Sequence, residues 1–181
     1  KQYLDLDAPF SEWVNSFKDT PFETLNLRGL PFLRSLRKTD LLFEKLRSHR
    51  ETLKNLILDE HHLRVEPGED TICVKWYLPN DSIPFFWALY RELVFFQALE
   101  RLSLKRTFLN DLAFSVLLTS LSRLPDLANL NLSDNFLTDV SLKNLCAAYR
   151  HFNALEELDL SGNFITEEGV LCLFNHLAHR S

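Results

Sequence analysis

Leu155-Glu156-Glu157-Leu158-Asp159-Leu160-Ser161-Gly162-Asn163-Phe164-Ile165 decides how this chain folds, because it is one copy of a phrase that recurs. The copy before it is Leu127-Ala128-Asn129-Leu130-Asn131-Leu132-Ser133-Asp134-Asn135-Phe136-Leu137, and before that comes Leu99-Glu100-Arg101-Leu102-Ser103-Leu104-Lys105-Arg106-Thr107-Phe108-Leu109. The copies start at positions 99, 127 and 155, the same step twice running. Within each copy the side chains alternate at strand period. Leu130 and Leu132 point inward, while Asn129, Asn131 and Ser133 point outward. The closing aliphatic, Leu137 or Ile165, turns back into the core. Asn135 and Asn163 sit at the break, where a side-chain amide can satisfy unpaired backbone groups and stack into a ladder from unit to unit.

The phrase continues upstream with decay. Leu53-Lys54-Asn55-Leu56-Ile57-Leu58-Asp59-Glu60-His61-His62-Leu63 is a fourth copy and Phe22-Glu23-Thr24-Leu25-Asn26-Leu27-Arg28-Gly29-Leu30 a fifth. Their spacing is irregular, with starts at 22 and 53 before the one at 99. Tyr3-Leu4-Asp5-Leu6 is a candidate sixth strand, within a lead-in or capping unit over 1–21. Thr107, His61 and Leu30 replace the ladder asparagine in the earlier copies. The second half of each unit reads as helix. Apolar positions 170, 173, 174 and 177 fall on one helical face. Thr166 is placed to cap that helix, with Glu167 and Glu168 in the first turn, where the helix dipole favours negative charge. Val116, Leu117, Ser120, Leu121 and Leu124 repeat the pattern, as do Leu142, Leu145, Cys146 and Tyr149.

The LxxLxLxxN core at this period resembles the leucine-rich repeat, and a unit of this length with a full helix resembles its ribonuclease-inhibitor-like class. Gly169 matches that class's pattern, and Ser141 replaces it one unit earlier. The resemblance covers 22–179 well and 1–21 weakly. It implies an α/β solenoid, with parallel strands on the concave face and helices on the convex face, forming one domain over 1–181. The class includes inhibitors, immune sensors, actin-capping proteins and GTPase activators, so the fold does not choose among functions.

One unit carries extra sequence. The gap from 53 to 99 exceeds the regular step by about 18 residues, placed at 64–83. Arg64-Val65-Glu66-Pro67-Gly68-Glu69-Asp70 is a turn signal. The β-favouring run Thr71-Ile72-Cys73-Val74-Lys75-Trp76-Tyr77-Leu78 follows and closes at Pro79-Asn80-Asp81. A hairpin or extra strand is expected on one rim. Lys75, Trp76 and Tyr77 there either contact a partner or cover the uneven junction between units.

With 46% apolar and 25% charged residues in 181, composition is that of a globular chain. No apolar run approaches the roughly 20 residues that span a bilayer, and no secretory signal is visible. The absence of Met points to an excised domain of a longer protein or a processed product. Cys73, Cys146 and Cys172 form an odd, unclustered set, which argues for an intracellular setting, cytoplasmic or nuclear. Cys146 and Cys172 fall on helix faces as core fillers. The sequons at Asn80 and Asn131 are read as chance. Fifteen phenylalanines are expected to fill the core between helices and strands.

Outward charges divide along the expected strand face. Glu100, Arg101, Lys105 and Arg106 mark a basic zone in the third unit; Asp134, Glu156, Glu157 and Asp159 an acidic one in the last two. Such a split sets the register of a complementary partner, although surface charge is also the norm. Arg101, Lys105, Arg106, Asn129, Asn131, Asp134, Glu157 and Asp159 are therefore the candidate partner-binding residues. Net charge −5 and a pI near 5.7 argue against nucleic acid. Four glycines leave little room for a phosphate loop, His61-His62 and His176-x-x-His179 complete no metal set, and no nucleophile motif appears. The expectation is a noncatalytic domain without cofactor or metal, monomeric in isolation, that binds a protein partner. Two alternatives stand beside it: a GTPase regulator resembling the Ran GTPase activators, and a structural segment docking within its parent chain.

Overall fold

A computed structural model describes residues 7–15, 21–28, 36–59 and 83–178. The chain alternates helix and strand throughout: α1 (Asp7–Asn15), β1 (Thr24–Asn26), α2 (Leu36–Leu46), β2 (Asn55–Ile57), α3 (Ile83–Leu93), β3 (Arg101–Ser103), α4 (Asp111–Leu121), β4 (Asn129–Asn131), α5 (Asp139–Ala148), β5 (Glu157–Asp159) and α6 (Glu167–Ala178). The five strands form one parallel sheet in chain order. Leu25, Leu56, Leu102, Leu130 and Leu158 stand in register at its centre. This is a leucine-rich-repeat-like α/β solenoid, with strands on the concave side and helices outside. The lead-in strand at 3–6 and the 64–83 insertion, with Cys73, Lys75, Trp76 and Tyr77, lie outside the described residues apart from Ile83, the first residue of α3.

Each strand is short because its inward set is short. The central leucine and the next one, as in Leu130 and Leu132, are buried against the helices. Phe43, Phe86, Phe96 and Phe114 fill the space between layers. Burying one such side chain contributes about 1.5–3 kcal/mol. The other face of the sheet carries the first and third strand residues. That alternation agrees with the sequence reading except at Ser133, expected to point out but fully buried, its hydroxyl donating to Asn131 Oδ1 at 2.8 Å.

The asparagine ladder is present. Asn135 Oδ1 accepts from the backbone N–H of Thr107 and Leu109, both at 3.0 Å. Its Nδ2 donates to the carbonyls of Leu104 and Leu132 at 2.8 and 2.9 Å. Asn163 repeats this one coil on, with Leu137 N–H and the Leu132 and Leu160 carbonyls. In the third coil the Thr107 hydroxyl donates to the Leu104 carbonyl at 2.8 Å and lies 3.3 Å from Asn135 Oδ1 in the next coil.

A second ladder runs along the helix N-termini. Asp111 accepts from the N–H and hydroxyl of Thr138 at 2.9 and 2.7 Å and from Ser141 Oγ at 2.5 Å. Asp139 accepts in the same way from Thr166 N–H and hydroxyl. Thr166, expected only as a helix cap, thus spends its hydroxyl on the preceding coil. Gly169 packs where a Cβ would meet Asp139 Oδ1 at 2.2 Å, while Ser141 in the equivalent place bonds its aspartate.

Two expectations about apolar residues are corrected. Phe108, Phe136 and Phe164 do not enter the core but stack along the turn, with centroids 5.7 and 5.9 Å apart. On α6, Val170 and Phe174 are exposed, because among the described residues no later coil covers the face that α6 presents beyond the fifth coil.

Candidate interaction surface

The surface is set by strand register. First-position residues form one row, Thr24, Asn55, Arg101, Asn129 and Glu157; third-position residues form another, Asn26, Ile57, Ser103, Asn131 and Asp159. Neighbouring strands lie about 4.8 Å apart, so each row presents five side chains on roughly a 20 Å line.

The third-position row is occupied by the fold itself. Asn26 Oδ1 accepts from Arg28 N–H, Asn131 Oδ1 from Ser133 N–H, and Asp159 Oδ1 from Ser161 N–H, all within 2.9–3.1 Å. Each closes a turn two residues on, the local bond that short polar side chains favour. Hydrogen bonds from Ser161 Oγ and its N–H hold the Asp159 carboxyl below its ordinary value. Asn131 and Asp159, chosen from sequence as partner contacts, are thus engaged in shaping the strand ends.

The first-position row differs. Asn55 Nδ2 donates to Thr24 Oγ1 at 2.9 Å. Arg101, Asn129 and Glu157 make no side-chain hydrogen bond or ion pair with the described residues. They stand side by side on consecutive strands, a cation, an amide and a carboxylate.

The basic and acidic residues meet directly below this row. Lys105 Nζ and Arg106 Nε both reach Asp134 Oδ2, at 3.3 and 3.2 Å. Opposite charges one coil apart attract across the groove, so the two zones neutralise each other there. Lys54 and Glu100 pair at 3.4 Å on the opposite side of the row. Such exposed pairs contribute about 0–1 kcal/mol each.

Two polar centres carried no sequence motif. Asp59, buried just after β2, accepts from Arg28 Nη2 at 3.0 Å, Ser103 Oγ at 2.5 Å and the N–H of Lys105 at 3.0 Å. It ties three coils together beneath the strand face. On the helix side Glu92 accepts two bonds from Arg47, at 2.7 and 2.8 Å, and one from Arg91 at 2.9 Å. Burial raises the Glu92 carboxyl, but these guanidinium bonds outweigh it and leave it below its ordinary value. Neither stood out in the sequence, and Asp59 falls where the other copies also carry polar residues, Arg28, Lys105, Ser133 and Ser161. Among the described residues no group of three His, Cys, Asp or Glu side chains is placed to hold a metal, and no helix is long and apolar enough to cross a membrane.

No family model matches the chain, and no curated protein does. Among solved structures, leiomodin-1 actin-binding site 2 aligns at a TM-score of 0.44 and 12% identity, covering 97% of this chain and 74% of that one. The tropomodulin C-terminal domain from Caenorhabditis elegans aligns at 0.41 and 14% identity, covering 93% and 91%.

Proposed function

We propose that this chain is a noncatalytic, intracellular protein-interaction domain of the ribonuclease-inhibitor-like repeat class, binding a protein partner through its strand face. One observation carries the reading: Arg101, Asn129 and Glu157 stand in register on adjacent strands with no partner among the described residues. A rigid row of uncommitted polar groups favours one complementary surface over others, because an approaching group of the wrong sign is left desolvated and unpaired. Lys105, Arg106 and Asp134 border the row and extend the contact, together with Lys75, Trp76 and Tyr77 of the 64–83 insertion. Asn131 and Asp159 contribute through the atoms their turns leave open.

Affinity capture from lysate with mass spectrometry, followed by calorimetry on the partner found, tests this. Arg101→Glu and Glu157→Arg are each expected to weaken binding at least about tenfold, with circular dichroism unchanged. Restored affinity in the double exchange would mean that only net charge matters. Full affinity in both single variants, with loss only on deleting 66–82, moves recognition to the insertion.

A further inference from the structure

The fifth coil offers to solvent the same groups by which the fourth coil holds the fifth. The constant repeat step makes this checkable atom by atom. Leu104 N–H and Arg106 N–H donate to the Asn131 and Ser133 carbonyls, and Leu132 N–H and Asp134 N–H donate to those of Asp159 and Ser161. One step further, Leu160 N–H and Gly162 N–H have no acceptor among the described residues. The side chains follow the same rule. Leu130, Leu132, Leu142 and Cys146 are at most 3% exposed, whereas their equivalents Leu158 and Leu160 are half-buried, Val170 is 40% exposed and Phe174 64% exposed. Phe108 and Phe136 are each half-buried in their stack, and Phe164, at its end, is 60% exposed.

We infer that this end face is a docking site whose occupant is a further leucine-rich coil, laid parallel to β5. The chemistry of the occupant is specified by what is open. It brings two strand carbonyls to Leu160 N–H and Gly162 N–H, and an asparagine whose amide reaches the Leu160 carbonyl and Ile165 N–H, as Asn163 does for the coil before it. It brings an aromatic ring to stack on Phe164, and a threonine or serine hydroxyl within reach of Glu167, which stands where Asp111 and Asp139 hold Thr138 and Thr166. An arbitrary apolar surface covers Phe174 but leaves these polar groups unpaired, at a cost for each. A bare, short edge strand is also an open template for strand pairing.

The test fuses a copy of residues 126–152 directly after Ser181, which sets the copied Leu127 one full repeat step beyond Leu155. The melting temperature is expected to rise by about 5 °C or more over the parent chain, since solenoid stability grows with each added interface. Exchange of the Leu160 and Gly162 amides is expected to slow at least about tenfold. Phe164→Glu in the fused chain is expected to abolish both effects. A fused chain that melts no higher than the parent, or that fails to fold, overturns the inference. So does self-association of the parent in sedimentation that Phe164→Glu abolishes, because it assigns the face to a second copy.

Discussion

A single asparagine joins two coils here, and the arithmetic of its bonds sets the cost of losing it. Asn135→Ala leaves the buried N–H groups of Thr107 and Leu109 without their acceptor, while the Leu104 and Leu132 carbonyls keep bonds from the Thr107 hydroxyl and Asn163 Nδ2. Unsatisfied buried groups cost about 1–3 kcal/mol each, so chemical denaturation should show a loss of at least about 2 kcal/mol. A loss below about 1 kcal/mol would mean that water replaces the amide. Backbone sign matters equally one residue earlier. Arg106, Asp134 and Gly162 occupy equivalent positions, all with φ between 55° and 68°. Gly162→Ala takes a strained conformation costing about 1–2 kcal/mol, and its Cβ meets Asp134 Oδ1 at 2.2 Å, so thermal melts should show marked destabilisation. The ladder was legible in sequence because Asn135 and Asn163 recur at the same step as the leucines. The tasks of Asn131 and Asp159 were not: outward strand residues look alike whether they face a partner or close their own turn.

At the scale of the element, the aspartates heading α4 and α5 do more than complement helix dipoles. Burial raises the Asp111 carboxyl, but hydrogen bonds from Ser141 and Thr138 outweigh it and hold it below its ordinary value. Bonds from the Thr166 hydroxyl and N–H lower Asp139 likewise. A carboxyl depressed by folding binds its proton more readily in the unfolded chain, whose aspartates titrate at about 3.9. Its contribution to stability is therefore complete above that value and disappears as pH falls through the lower folded-state values. Melting temperature should be flat near neutrality and drop below about pH 4; in Asp111→Asn the neutral-pH stability should be lower and the acid drop smaller. An Asp111→Asn profile parallel to the parent's would remove this staple from the account. The same geometry separates two substitutions at Gly169. Both alanine and serine bring a Cβ from which the Asp139 carboxylate must shift, but serine can then donate its hydroxyl to that carboxylate as Ser141 does to Asp111, so Gly169→Ser should be the more stable of the two in denaturant titrations. None of this was visible beforehand, because a threonine before an acidic residue reads first as a cap and only the coil stacking reveals the second use.

Across the whole molecule, stability should follow the stacking. In a solenoid each coil contacts only its neighbours, so total stability is close to a sum of coil and interface terms. Among the described residues the third and fourth coils are sandwiched and the fifth is covered on one side. The repeat spacing made strand order, parallel register and inward leucines readable in advance, since a constant step admits one way of stacking them. It was silent on how well each coil is covered: Leu158 and Leu130 are the same letter in the same phrase, yet Leu130 is 1% exposed and Leu158 only half-buried. Leu130→Ala should therefore cost about 2–5 kcal/mol, in the range of a closed core site, and Leu158→Ala distinctly less, because its site already meets water on one side. Native-state hydrogen exchange should rank the coils alike, with the Leu102 and Leu130 amides opening only on global unfolding and those of β5 opening by local fraying of the last coil. Equal losses for the two alanine variants, with uniform protection across β3 to β5, would show that the end coil is as firmly held as the middle ones and that the chain unfolds as one cooperative block.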